Sequence, residues 1–516
     1  MKQFIQRHAA QVIGTLCGWD RLRFRGTLRM LANVTGLDRF LNATGRGLVK
    51  EFKEHALELS RQVRQQSQEA FERTGRPVVH LESPRVCKEE VARQIAKEDG
   101  IEQGPICLIT AVEGCGSYGI RTDPATGHWH RCHAYRKCLH LYQYQIHPQL
   151  GFMHTRLQTW LPFNLWVNAN GREWLGRQLE GAGIGCRRHE NCFTQVDDLT
   201  AAQAFLDQQV KSDFAGLLRP LAEAMNPARR SIAGAYDLDY YWSIDQSEFA
   251  SDVLFRSPAA LAQLYPSLLR QGIETFGSAQ VMRFLGRRVE KGITPRFAGE
   301  VTSDLRGRPE GVRVKHWLND NSIKMYDKAG SVLRIETTLN DMRDLKSVRR
   351  VDGKQVWMPM RKGVADAAGR AKVSRASNDR YLDALSAVGT PTPLKSLTEK
   401  LSRPVRWKKQ SVRGLNLLGS DDAALLSAAG RGEFMITGLR NRDLQQHLFA
   451  TSAADTAELK RRSGQVTRKL RMLRAHGLIR KLPHTHRYQV TDKGRQVIAA
   501  IAAAREANVE QLTKAA

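Results

Sequence analysis

The chain has 516 residues, with 80 Lys and Arg against 52 Asp and Glu, a formal charge of +28, 41% hydrophobic and 26% charged residues. This excludes a disordered polycation and a single small domain, and predicts roughly two to four domains, each with its own core. No run of about 18 apolar residues occurs and the N-terminal apolar stretch is too short for a signal peptide, so a cytoplasmic protein with no membrane partner is expected. The cationic excess clusters at 287–292, 346–350, 403–413 and 459–474. Clustered Lys and Arg bind polyanions by displacing condensed counterions from phosphates, which makes nucleic acid the expected partner.

The expected architecture is α+β and multidomain. Residues 1–103 read as a mostly helical N-terminal region: Leu48, Phe52, Ala56, Leu57 and Leu59 fall near helical spacing, and a further helix is bounded by Ser83-Pro84 and Gly100. Over 104–196 the period changes to two, which predicts an antiparallel sheet followed by the helix "GREWLGRQLEGAG". In "GFMHTRLQTWL", Met153, Leu157 and Leu161 share one strand face. His154 and Arg156 fall on the other, where they are candidates for phosphate or base contact, or else part of an exposed or helix-covered sheet face.

Six of the eight cysteines lie between Cys107 and Cys192. Too few for a disulfide scaffold, they fit a reducing compartment. Cys132 and Cys138 in "HWHRCHAYRKC", with Cys186, His189 and Cys192 in "CRRHENC", are candidate ligands for a structural zinc, which takes four thiolates or imidazoles. Buried free thiols and surface histidines are the alternative.

Residues 197–390 read as an α+β domain. Its helices are followed by "PEGVRVKHWLNDNSIKMYDKAGSVLRIETTLN", where "NDN" and "DKAG" separate three alternating runs, predicting a three-stranded meander over 310–340. Val312, Val314, Leu318, Ile323, Met325, Leu333, Ile335 and Leu339 then share a core face. The opposite face carries Lys315, Lys324, Tyr326, Arg334 and Glu336, with Asp327 and Lys328 at the turn. This face suits phosphate.

"IKMYDKAGSVLRIETTLN" resembles the Tyr-Asp-Lys strand end and following Arg-x-Glu strand of some rolling-circle replication initiators of plasmids and filamentous phages. The resemblance implies a metal-assisted nickase, with Tyr326 as nucleophile, Glu336 or Asp327 near a Mg or Mn ion, and Lys324, Lys328 and Arg334 on phosphate. The paired histidines of many such nickases are missing; His128 and His130 are the nearest match.

A basic linker region over 391–430 leads to residues 431–516, whose element order resembles the winged-helix domains of MarR-type DNA-binding proteins. The resemblance implies a recognition helix starting near Ser463, with Val466, Leu470 and Leu473 inward. Arg461, Arg462, Gln465, Arg468, Lys469 and Arg471 would then face the major groove, and His484, His486 and Arg487 would lie at a wing.

Three functions fit these residues: a duplex-DNA-binding regulator or site-recognition factor of a mobile element, a metal-dependent nicking or strand-transfer enzyme, and a protein that binds structured RNA.

Overall fold

The computed structural model of the chain describes residues 1–83, 85–233, 236, 238–287, 300–308, 311–343, 345–386, 394–430, 434, 438–449, 451, 453–483 and 485–506. His484 and most of the basic stretch 287–292 lie outside the described residues. The first thirteen strands are β1 (Val12–Leu28), β2 (Val78–Leu81), β3 (Gly104–Thr122), β4 (Trp129–His147), β5 (Gly151–Gln158), β6 (Leu165–Asn170), β7 (Cys186–His189), β8 (Cys192–Val196), β9 (Tyr240–Phe255), β10 (Val301–Arg308), β11 (Gly311–Leu318), β12 (Asn321–Lys328) and β13 (Val332–Leu339). β7 and β8 form a separate hairpin, and the others build one sheet in the order β10-β11-β12-β13-β9-β1-β6-β5-β4-β3-β2.

The order repeats. β1 and β9 pair antiparallel at the centre, and each is flanked by the last strand of a four-stranded meander, β3 to β6 on one side and β10 to β13 on the other. All pairings in the sheet are antiparallel except β2 with β3. One sheet therefore runs through all three segments 1–103, 104–196 and 197–390.

Alternation divides the sheet into two faces. On one, Trp19, Leu22 and Phe24 of β1 join Phe249 of β9 and the helices Phe52–Glu72 and Phe214–Met225 in a common core. Val314, Ile323, Met325, Leu333 and Ile335 pack on the helices Pro258–Glu274 and Ala367–Leu385. Leu339 is also buried, so the meander's core face lies as its period dictates, although Val312 is only half-buried. The helix Ala367–Leu385 is weakly amphipathic because it also uses polar groups: Asn378 Nδ2 donates to Phe249 O, and Arg370 donates to Ile244 O at 2.6 Å and Leu339 O at 2.7 Å.

The mostly helical reading of residues 1–103 is corrected at their start. Val12–Leu28 is the long central strand, and the alternation in "LRFRGTL" puts Leu22, Phe24 and Leu28 inward with arginines between them. The helices Phe52–Glu72 and Lys88–Glu98 are present, with Phe52, Ala56 and Leu59 buried, but Leu48 and Leu57 are exposed and the second helix starts after Cys87 rather than at Ser83-Pro84.

The C-terminal segment holds the helices Asn441–Leu448, Thr456–Ala475 and Asp492–Glu506, and a short hairpin pairing Ile479–Lys481 with Tyr488–Val490. Val466, Leu470 and Leu473 share a core with Leu444, Ile479, Val490 and Val497. The second helix begins seven residues before Ser463, because Asp455 caps it by accepting from Glu458 N at 2.7 Å.

Candidate active site

The other face of the sheet carries a cluster of ionisable side chains, and a bulge starts it. The β1–β9 register jumps between Trp19 and Arg21, so the adjacent Asp20 and Arg21 both line one cleft. Beside them stand Glu248 and Asp252 on β9, four residues apart and hence on one face. β13 adds Arg334, opposite Asp252, and Glu336. β12 adds Lys324, opposite Glu336, and Tyr326, opposite Arg334.

At the floor, four charged side chains are locked together out of water. Arg334 donates to Asp252 through Nε at 2.6 Å and Nη2 at 2.9 Å, to Asp20 Oδ1 at 3.0 Å and to Asn191 O at 2.8 Å. Arg172, in the first turn of the helix Gly171–Gly181, reaches Asp252 Oδ2 at 3.0 Å. Two guanidiniums offset two carboxylates, which is how a sheet can bury this many charges. The turn between β7 and β8 covers the group: Asn191 Nδ2 donates to both Asp20 oxygens at 2.9 Å, and Glu190, at φ 50, pairs with Lys328 at 2.8 Å.

Next to this floor, carboxylate oxygens of Asp20, Glu248 and Glu336 lie within 4.8 Å of one another. Tyr326 Oη donates to Glu336 Oε2 at 2.9 Å, and Lys324 Nζ sits 2.6 Å from Glu336 Oε1. The cleft above has a volume of about 280 Å³.

The electrostatics separate the three acids. Burial raises Glu248 to about 7, with Glu336 adding to the effect and Lys324 opposing it. Asp20 is raised too, by burial against the pull of Arg334. Burial also opposes ionisation of Glu336, but Lys324 and Arg334 outweigh it and hold its carboxyl below the usual range. Burial and then Glu336 push the Tyr326 phenol well above its ordinary value, so it is a protonated hydrogen-bond donor at neutral pH. Three converging carboxylates are a donor set that a hard cation such as Mg²⁺ or Mn²⁺ takes. Burial is the main reason Glu248 is raised, with the like charge of Glu336 second, and the three converging carboxylate oxygens are a geometry that fits a divalent cation.

Several residues expected to contact phosphate are engaged by other protein groups. Arg334 is fully buried and consumed by carboxylates, so it braces the site and does not face phosphate. Lys328 is buried against Glu190, and Lys324 is engaged by Glu336. Lys315 lies over the Trp317 ring, 4.5 Å from its centroid. Asp327 lines the cleft, raised by burial, but stands outside the three-carboxylate cluster. His154 is held by Asn168, 3.0 Å away, and Arg156 pairs with Glu113 at 3.0 Å.

Cys132, Cys138, Cys186, His189 and Cys192 do not converge. Cys186 and Cys192 are at opposite ends of the β7–β8 ladder, one exposed and one buried, because strand register separates them. Cys138 instead meets Cys115 at 3.0 Å, beside His140.

On the helix Thr456–Ala475, Arg461, Arg468 and Arg471 are exposed and Gln465 and Lys469 half-buried. Arg462 is turned inward, bound to Glu458 at 2.6 Å and stacked over Phe449. His486 is exposed beyond the short hairpin, and Arg487 is half-buried.

Asp20, Glu248, Asp252 and Arg172 went unread in the sequence. The even spacing of Gln246, Glu248 and Asp252 in an apolar strand was the available signal. No family model matches the chain, and no curated protein or solved structure matches it.

Proposed function

We propose that the protein is a DNA strand-transfer or nicking enzyme, with its chemistry at Asp20, Glu248, Glu336 and Tyr326 and its duplex recognition in a C-terminal winged helix. The observation that carries the reading is the convergence of three carboxylates on a tyrosine hydroxyl inside a cleft bordered by Arg21, Arg313 and Lys324. A divalent cation held by Asp20, Glu248 and Glu336 would supply positive charge to the phosphoryl oxygens.

The chain's own groups do the rest. Tyr326 Oη bonds to phosphorus while its proton passes to Glu336 Oε2, its hydrogen-bond partner. The bond from phosphorus to the leaving strand's oxygen breaks, and that oxygen takes a proton from water. Arg21, exposed at the cleft, offsets charge on the phosphate. In the C-terminal segment, Arg461, Gln465, Arg468, Lys469 and Arg471 supply the groove contacts, and His486 and Arg487 flank them at the wing.

A second reading, binding without chemistry, is favoured by Lys324, whose ammonium already occupies Glu336. Labelled DNA incubated with Mg²⁺ or Mn²⁺ separates the two. Strand transfer predicts a covalent protein–DNA adduct that is lost in Tyr326→Phe and Glu336→Gln while duplex affinity persists. Absence of any adduct across single-stranded, nicked and forked substrates leaves the binding reading, and preferential binding of structured RNA over DNA at matched salt overturns both.

A further inference from the structure

A second cleft, of about 390 Å³, opens beside the first and shares Arg21 and Glu248 with it. Its floor is β9, β1, β6 and β5, and its wall is the helix Lys88–Glu98. Strand order makes it the counterpart of the carboxylate site. His154 on β5 faces Asn168 on β6 across the ladder, as Lys324 on β12 faces Glu336 on β13 in the other half. Where the second half has a carboxylate and an ammonium, the first half has a carboxamide and an imidazole.

We infer that this cleft holds one unpaired nucleotide of a DNA strand, adjacent to the phosphate engaged at Tyr326, with Asn168 and Gln246 meeting the base edge and Arg21 and Arg23 the phosphate. The inference rests on the strand-transfer reading for the identity of the strand. Four observations carry it.

The volume is within the range of pockets that take small ligands. Arg21 and Arg23 are exposed in the middle of a sheet face, on alternate residues of the central strand, so both cations stand on the cleft side. Asn168 and Gln246 each offer a donor and an acceptor, the pair of functions a base edge requires. The Arg93 guanidinium lies 3.9 Å from the Phe152 ring centroid and is fixed by Glu89 at 2.7 Å, giving the wall a stacked planar surface beside the amides.

Asn168 is itself oriented. Its Nδ2 is 3.0 Å from His154 Nε2, and burial lowers His154 to about 4, so the imidazole is neutral and accepts that hydrogen bond. A paired base has its edge occupied and its faces stacked in the duplex, whereas an unpaired base can enter between a helix and a sheet.

The test uses the full chain carrying Tyr326→Phe, without divalent cation, so cleavage plays no part. Fluorescence anisotropy is read with single-stranded DNA in which one abasic position is moved along the oligonucleotide. One position is expected to weaken binding about tenfold, the scale of one well-made base contact, and that loss is expected to vanish in Asn168→Ala. The exposed substitution Arg23→Gln should weaken all oligonucleotides alike and lower the salt slope by about one.

A flat abasic profile overturns the proposal. So does an Asn168→Ala profile that keeps its sensitive position, or equal affinity for RNA of the same sequence. An adduct assay that fails while the abasic profile shows one sensitive position refutes the strand-transfer reading and leaves the nucleotide cleft standing.

Discussion

Replacing Arg334 by Met keeps most of the side-chain volume and removes one of the two cations from the buried floor. Four hydrogen bonds to Asp20, Asp252 and Asn191 disappear together. Asp252 keeps Arg172 at 3.0 Å, but Asp20 is left with Arg172 at 3.8 Å and with Asn191. One buried negative charge then has no counter-charge, which costs about 3–5 kcal/mol when a single partner of a buried pair is removed.

The sign of the pH dependence follows from Asp20. Burial already raises its pKa against the pull of Arg334, and loss of that guanidinium raises it further. A carboxyl with an elevated folded pKa is comfortable when protonated, and the fold loses stability as pH rises through that value. The deficit of Arg334→Met should therefore be largest near pH 8 and smaller near pH 5. Adding Asp252→Asn frees Arg172 to serve Asp20, 3.8 Å away, and should recover part of the loss at pH 8, because the residues are directly coupled. Urea unfolding of the full chain, followed by both far-ultraviolet circular dichroism and tryptophan emission at the two pH values, reads all three quantities. A deficit under about 1 kcal/mol, the scale of an exposed ion pair, or one that grows on acidification, would refute the reasoning.

The carboxylate cluster makes its own predictions. Because Glu248 is raised to about 7, its ionisation opposes folding as pH climbs from the ordinary glutamate range to about 7. Glu248→Gln should therefore gain stability relative to the wild type at pH 8 and show no difference at pH 4, checked by thermal melts. Mn²⁺ should raise the melting temperature of the wild type in a concentration-dependent way, and Glu336→Gln should abolish the shift; an equal shift in both proteins would remove the cluster as a cation site. In the C-terminal segment, Arg468→Ala should reduce the salt slope of duplex binding by about one with unchanged stability. Arg462→Ala should instead lower stability, since that guanidinium braces Glu458 and Phe449, and unfolding midpoints set beside binding isotherms distinguish the two.

The sequence was legible where one period governed both burial and position. The β11–β13 meander shows this: alternation set Ile323, Met325, Leu333 and Ile335 on one face and Lys324, Tyr326, Arg334 and Glu336 on the other. What alternation cannot show is whether the polar face meets water. Here the Glu190–Asn191 turn and the helix Gly171–Gly181 lie over it, so Arg334 became an internal brace. The same limit hid the N-terminal strand, in which Arg21, Arg23 and Arg25 alternate with Leu22 and Phe24 and form the polar face of the central strand.

The carboxylate cluster was harder still, because it has no local signature. Asp20 reaches it through a bulge, which sets two successive residues on one cleft and breaks the parity that a reader of alternation relies on. Glu248 and Glu336 arrive from strands on the other side of the central pairing, so the cluster exists only in the register of β1 with β9 and of β9 with β13. The supporting ions are shared in the same way, with Arg172 from the first half on Asp252 and Arg334 from the second on Asp20. Each half therefore supplies the counter-charge for a carboxylate of the other. Separating β1 from β9 would strand those charges at the same moment that it dispersed the three carboxylates, which ties the integrity of the site to the pairing of the two halves.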